Sequence, residues 1–517
     1  MNFARYIEEE GGAFGLSRVA VESPFGTWTF GRLFESAERF ARALSACGVR
    51  QGDRVVALME NRPEYYVAYL AAARLGAILS TVNIDYSIGE ICYIVEHCKP
   101  ACVAADEAGA RKYAESLTQV SAIKATLVRV EEQVAGADAS LGRSYVEIGK
   151  GVDPVDFVDV PPDQGVLLCY TSGSTSRPKP VLTTHGGERW ASRSFRSMWR
   201  LTCNDTVLVT LPLAWVYGLG TVSMPAFSHG AKVVLLPRFR PADVCAAIER
   251  HRITVFPGVT TMYGMLVGYA MSQETKPNFR SIRLALSGGE RRNEVAFEKF
   301  EDLSGQPVFD VYASSEARPV FSYDPLCVNR PVPGSSGVLH PGVEAQVRDK
   351  DGNILRPGEV GELWIRSPSI IKEYYGEPEL TAGRKDADGW VRMGDLFRQA
   401  EDGYWFIEGR TTDMIIRGGA NVSPAELEDH LVINPRIKEA IVLGRPDPKY
   451  GEEVVAFVVG EFSGTDAASV VVQHCRGAIA EYKIPTVIKA MPSLPLGPTG
   501  KVDRKALKDI ALTLPQP

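Results

Sequence analysis

Between Tyr170 and Lys179 the chain reads Tyr-Thr-Ser-Gly-Ser-Thr-Ser-Arg-Pro-Lys, with five Ser/Thr hydroxyls, a glycine and a lysine in ten positions. Such a segment can cradle an anion. Hydroxyls and backbone amides donate to phosphate oxygens, and the lysine supplies charge. It is not a Walker A loop, which needs glycine before the lysine and Ser or Thr after it; here Pro178 precedes Lys179 and Pro180 follows. Taken alone, a Ser/Thr-rich loop is also an ordinary solvated turn. Cys92, Cys98 and Cys102 with His97 invite a zinc reading, but no CxxC pair is present. Their apolar neighbours Ile91, Ile94 and Val95 make buried core cysteines the better expectation.

The elements that would carry this loop follow an α/β order. Short apolar runs at Ala101–Ala105, Val166–Tyr170, Val207–Leu211 and Lys232–Leu236 are bounded by Gly, Pro or Asp, as buried strands are. Asn61-Arg-Pro-Glu64 predicts a helix start, and Tyr65, Tyr69, Leu70 and Ala73 predict one apolar face before Gly76. From Gly334 to Arg366 turns become frequent. Val343–Val347 and Gly361–Ile365 alternate as half-exposed strands around an Asp349–Asn353 turn, a β-rich subdomain. Beyond Gly409–Asp413 the pattern restarts with a strand at Met414–Ile416, a capping-box helix start at Ser423-Pro-Ala-Glu426 and a strand at Glu439–Leu443. The expected organisation is an N-terminal domain over 1–409 of layered α/β sheets with a β-rich subdomain, a hinge at 410–413, and a small mobile α+β C-terminal domain over 414–517.

Further motifs follow in order: Ser287-Gly-Gly-Glu290, Tyr312-Ala-Ser-Ser-Glu316, Gly389-Trp-Val-Arg-Met-Gly-Asp395, Gly403-Tyr-Trp-Phe, Gly409-Arg410, Gly418-Gly419 and Gly500-Lys501. With the 170–179 loop, this series resembles the acyl-adenylate-forming superfamily of acyl-CoA and aryl-CoA synthetases, peptide-synthetase adenylation domains and firefly-type luciferases. The likeness runs from about Thr27 to Leu507, and the AMP-forming acyl- or aryl-CoA ligases match best.

The resemblance implies ATP, Mg²⁺ and coenzyme A as cofactors and a role for each motif. Thr171, Ser172, Gly173, Ser174, Thr175 and Lys179 would hold the triphosphate, with Gly289, Glu290, Tyr312 and Ala313 around the nucleotide. Glu316 would ligate Mg²⁺, for which a carboxylate oxygen is a suitable hard ligand, and Ser315 would donate to the α-phosphate. Asp395 would accept the ribose diol, with Arg410 at the same ribose or phosphate. Lys501 would reach the substrate carboxylate and α-phosphate, where charge peaks in the transition state. Gly418 and Gly419 would let a pantetheine thiol pass close to the backbone. Trp215, Tyr217, Gly218, Val259, Ser287, Gly288 and Arg318 would line the acyl pocket, whose aromatics and glycines suit a flat or compact acid.

Departures qualify this picture. Ser176 and Pro180 stand where relatives usually have glycine, Thr412 replaces the usual hinge Asp or Lys, and Trp215 stands where many relatives have histidine. Arg318 replaces a small residue. Buried, it needs a partner, either a second polar group on the acid or a protein carboxylate such as Glu290 or Asp324.

Composition limits the remaining choices. A net charge of −6 and 23% charged residues give no broad pull toward nucleic acid. The first residues lack a secretory apolar run, no stretch is apolar enough to span a bilayer, and the last four, Leu-Pro-Gln-Pro, are not a peroxisomal signal. A cytoplasmic monomer or homodimer is expected. The reading is ATP-dependent activation of a small carboxylic acid to an acyl-AMP with release of pyrophosphate, then thioester formation with coenzyme A; the acid is aromatic, short or dicarboxylic. The alternatives are transfer to a carrier-protein thiol and a non-catalytic nucleotide-binding relative.

Overall fold

The structure is a computed structural model and describes residues 1–119, 125–133, 141–171, 178–290, 292–411, 413–417, 420–462, 466–497 and 501–515. The chain forms two compact units: residues 1–345 with 365–391, and residues 346–364 with 392–517. The boundary expected at residue 409 therefore falls inside the second unit.

Two sheets carry most of the first unit, which also holds the antiparallel strands Phe321–Ser322 and Ser335–Leu339. One runs in the order Val308–Val311, Leu284–Gly288, Val255–Gly258, Thr206–Val209, Lys232–Leu235, Val19–Ser23, Gly26–Thr29; it is parallel up to the antiparallel hairpin Val19–Thr29 at its edge. The other runs Glu373–Tyr374, Lys179–Thr184, Gly165–Thr171, Ile78–Val82, Arg54–Leu58, Cys102–Ala105, Thr126–Arg129, Arg143–Ser144. Four of the strands are the apolar runs read from sequence, buried as parallel strands between helical layers must be. The antiparallel pair Gly165–Thr171 and Lys179–Thr184 contains the first and last residues, Tyr170, Thr171 and Lys179, of the Ser/Thr-rich segment.

The helix Pro63–Arg74 differs from its expectation of one apolar face. Every residue from Pro63 to Ala73 is buried, polar Glu64 included. It is enclosed because it touches both halves of the unit. Tyr66 meets Phe227 edge-on at 4.8 Å and its hydroxyl lies 2.9 Å from Ser223 Oγ, while Tyr69 packs on Phe3. Glu64 is held by Arg62. Cys92, Cys98 and Cys102 are buried, and His97 is 2.8 Å from the Tyr170 hydroxyl through Nδ1.

In the second unit the long hairpin Ile437–Asp447 and Gly451–Gly460 is flanked by Ile415–Arg417 with Ala420–Val422 and by Val487–Ala490. The helices Pro424–Val432 and Ala467–Cys475 bury Leu427, Leu431, Val470 and Val471 in its core. Ser423 caps the first of these by accepting from Glu426 N, but the expected reciprocal half of the box is not made. The Glu426 carboxylate pairs with Lys483 Nζ at 2.6 Å instead, since a lysine gives it a charged partner. The terminal helix Arg504–Thr513 is pinned by Arg504 to Glu428 and by Arg445, which reaches the Ala511 and Leu514 carbonyls while paired to Glu453.

Candidate active site

In open α/β sheets, ligands gather beyond the carboxyl ends of the strands, and the predicted residues of the first unit collect there. The strand Leu284–Gly288 delivers Ser287 and Gly288, Val255–Gly258 delivers Val259, and Val308–Val311 delivers Tyr312. After Thr206–Val209 the chain turns at Trp215, whose N–H donates to Pro212 O, into a π-helix at Tyr217–Ser223. Wide helical turns of this kind recur at functional sites. Tyr217 donates to Gly258 O at 3.2 Å, and burial with the nearby Asp310 carboxylate raises its pKa.

Two glycines here have no room for a side chain. A Cβ on Gly288 would lie 2.8 Å from Val311 O and 3.6 Å from the Tyr217 ring; one on Gly218 would lie 2.8 Å from Pro212 O. Leu211, Val259 and Met262 form an apolar cluster with Tyr217 and Phe239 beside them, and Ser287 Oγ sits 3.3 Å from Thr260 Oγ1. Tyr217, Gly218, Val259, Ser287 and Gly288 are thus brought together.

Glu290 has structural work. Its carboxylate accepts from Thr261 N at 2.7 Å and Thr261 Oγ1 at 3.1 Å, at the start of the helix Thr260–Ser272, whose own cap position Val259 has no acceptor side chain. A carboxylate there also meets the positive end of the helix dipole. Beneath the site Asp310 pairs with Arg292 at 2.5 Å, and burial pushes its carboxyl up to about 6 against the pull of that guanidinium.

The loop after Tyr312 is closely tied. Ser314 Oγ accepts from both Glu316 N and Ala317 N, Tyr312 pairs with Phe321, and Glu316 O takes the Ile371 N–H at 2.7 Å. Ala313, Ser315 and Glu316 are half-buried. Tyr374 donates to Glu316 Oε1 at 2.9 Å; burial and this carboxylate raise the tyrosine's pKa. The second oxygen, Oε2, has no hydrogen-bond partner among the described residues, so the group fits a hard cation completed by phosphate oxygens, the usual magnesium arrangement.

Arg318 corrects its expectation. It is 2% exposed and its guanidinium is paired with Glu188, itself 2% exposed. Neither carboxylate named from sequence is its partner: Glu290 serves the helix start, and Asp324 binds Arg200. Glu188 was missed. Its signal is the periodicity of the helix His185–Met198, where Glu188, Ala191, Ser192 and Phe195 share the buried stripe; a carboxylate there must be paired.

Thr171 and Lys179 face each other across the hairpin at the base of the loop. Pro180 is accommodated opposite Tyr170, its carbonyl accepting from Tyr375 N at 2.8 Å. Ser172, Gly173, Ser174 and Thr175, with Ser176, Arg291, Thr412, Gly418 and Gly419, lie outside the described residues.

In the second unit, Asp395 and Arg410 are register partners on adjacent strands, joined by a 3.0 Å bond from Arg410 Nε to Asp395 Oδ1. Lys501 closes a loop through its carbonyl, which accepts from Gly497 N at 2.8 Å. Leu496 and Val502 bridge the loop's base, and Asp503 caps the helix that follows.

Comparison with known proteins agrees with this geometry. The model of the AMP-binding enzyme family matches residues 7–375, and that of the AMP-binding enzyme C-terminal domain matches 426–501. An indoleacetate–CoA ligase of Aromatoleum aromaticum is 31% identical over 516 residues, covering 99% of this chain and 98% of its own. A feruloyl-CoA synthase of an Amycolatopsis species is 31% identical over 475 residues, 92% of each chain. Among solved structures, ATP-bound MatB from Rhodopseudomonas palustris superposes with a TM-score of 0.88 at 27% identity, over 99% of both chains. On sequence and fold alike, the chain belongs to the AMP-binding enzyme family.

Proposed function

We propose that this protein is an ATP-dependent acid–CoA ligase whose acid is a flat aromatic carboxylate. The observation that carries the aromatic assignment is the pocket wall: Leu211, Val259 and Met262 with the Tyr217 ring against the bare backbone of Gly288. A flat ring can pack against the Tyr217 ring and these apolar side chains, as aromatic pairs do. Arg318, the arginine read from the sequence as a candidate partner for a dicarboxylate, is engaged by Glu188.

Both reactants of the first step are anions, so charge must be screened before the carboxylate attacks the α-phosphorus and pyrophosphate leaves. Thr171, Lys179 and the loop between them hold the phosphates, and Ser315 donates to the α-phosphate. Glu316 would hold Mg²⁺, which would supply further charge neutralisation when bound. Tyr312 stacks on adenine, Asp395 accepts the ribose hydroxyls and Arg410 joins it. Lys501 meets the charge that builds between carboxylate and α-phosphate. In the second step the coenzyme A thiol attacks the acyl carbonyl, AMP departs with the bond electrons, and Gly418 and Gly419 leave the thiol a path. Movement of the segment beyond 410–413 between the two steps belongs to the same proposal.

The test is pyrophosphate release from ATP and Mg²⁺ over a panel of aryl, short-chain and dicarboxylic acids, with mass detection of the thioester. Release and thioester formation led by aryl acids is expected. A preference for short or dicarboxylic acids overturns the aromatic assignment, and release with no CoA thioester points to a carrier-protein acceptor. Lys501→Ala should lower adenylation about 10²–10³-fold, as loss of a transition-state contact does, with the melting temperature unchanged.

A further inference from the structure

The Glu188–Arg318 pair is buried and incompletely satisfied. Glu188 Oε1 takes both the Arg318 Nη2 bond and a 2.6 Å bond from Thr183 Oγ1, whereas Glu188 Oε2 and Arg318 Nε and Nη1 make no hydrogen bond among the described residues. Enclosing two charges with three polar atoms unmatched is a poor way to gain stability, because desolvation offsets the attraction. Fold stability alone is therefore a weak explanation for this pair.

Its location suggests another. Glu188 lies in the first turn of His185–Met198, the helix that continues directly from the strand leaving the Ser/Thr-rich loop, and its neighbour Thr183 is on that strand. Arg318 is two residues beyond Glu316. Its guanidinium packs on the π-helix that carries Tyr217: a Cβ on Gly220 would lie 2.8 Å from Arg318 Nη1. On the other side the same loop is held by backbone. Ser369 Oγ donates to Arg318 O, Ala317 bridges Ile370, and Glu316 O takes Ile371 N.

We propose that the Glu188–Arg318 ion pair is a positioning device for Glu316, locking the loop that bears this carboxylate to the helix that follows the phosphate hairpin and to the wall of the acyl pocket. Three structures that must act on one phosphate–carboxylate centre are thereby fixed to a single buried junction. Arg318 and Glu188 touch neither substrate. They act through Glu316, whose carboxylate, among the described residues, hydrogen-bonds only to Tyr374. This inference rests on the reading of Glu316 as the magnesium ligand.

The test uses the full chain and compares wild type with Glu188→Leu/Arg318→Met, which removes both charges and keeps apolar bulk, a change that buried pairs often tolerate. The first readout is ATP binding by titration calorimetry as Mg²⁺ is varied, which needs no acid substrate. The expected result is a half-saturating Mg²⁺ raised about tenfold or more, the usual size for loss of a ligand-orienting group. Acid-dependent ATP–pyrophosphate exchange should fall similarly, while thioester formation from preformed acyl-AMP and coenzyme A, which needs no Mg²⁺, should fall less. Gly220→Ala keeps both charges but crowds the guanidinium, and should shift the Mg²⁺ requirement the same way if the double variant does not fold. A folded variant with wild-type Mg²⁺ dependence, or one in which both half-reactions fall equally along with the melting temperature, overturns the proposal. A wild-type protein that binds MgATP but shows no exchange with any acid counts against the ligase reading, and leaves the Mg²⁺ comparison to decide this one.

Discussion

Two arginine–carboxylate pairs sit in this molecule under opposite conditions. Arg318 and Glu188, in the first unit, have side chains 2% and 1% exposed; Arg410 and Asp395, in the second, are 62% and 8% exposed. In the first pair the guanidinium is walled in and can only hold its partner. In the second the carboxylate is enclosed while most of the arginine side chain is open to solvent, so an incoming anion can reach it. Arginine near a site is thus not one signal but two. An enclosed arginine organises the protein, and an open one is available to a ligand.

The largest test of that contrast is Arg318→Ala. It strands Glu188 as a lone buried charge, so urea denaturation should show a loss of about 3–5 kcal/mol; a loss below about 1 kcal/mol would place the pair in the exposed class. Acid provides a second test in the same interior. His185 begins the helix that carries Glu188, and its Nδ1 accepts from Phe3 N; His340 is 3% exposed, with both ring nitrogens unpartnered among the described residues. Burial lowers each pKa from 6.5 to about 4. The unfolded chain then binds protons that the native protein refuses, so stability falls as pH drops from about 6.5 to 4 and levels off below. Each histidine accounts for about 3 kcal/mol of that fall, and His340→Leu should remove its share of the slope. Asp395→Ala should raise the KM for ATP about tenfold or more, the usual effect of losing a hydrogen bond to a charged group, with only a small change in melting temperature. Smallest in stability is Arg410→Ala: a change within about 1 kcal/mol is expected, and a larger one would show that this pair is structural too.

The sequence made the framework legible wherever one physical requirement dominated. The apolar runs at Val166–Tyr170 and Lys232–Leu236 could only be buried strands, and Ser423 could be read as a cap because its hydroxyl sits next to an N1 proline. Where two requirements compete, the reading stopped short. Glu426 had a backbone amide and a lysine 57 residues away to choose between, and local spacing reveals only the first. The spacing of Tyr65, Tyr69, Leu70 and Ala73 makes Pro63–Arg74 read as one-sided, yet contacts from distant segments enclose it on every side. At the candidate site, motif order named residues but not their partners. Arg318 was noticed for its size and charge, and Glu188, lying 130 residues earlier, belongs to no motif.

In the proposed acyl pocket two positions, Gly218 and Gly288, are bare main chain, and this limits how the enzyme can change its diet. A side chain at Gly288 or Gly218 would collide with the carbonyl oxygens of Val311 or Pro212, and neither carbonyl can retreat without bending a segment that lines the pocket. Point substitutions therefore cannot make this floor shallower. Changes of acid preference should therefore arise at the side chains beside these glycines, such as Met262, and directed evolution toward larger or smaller acids should leave the glycines alone.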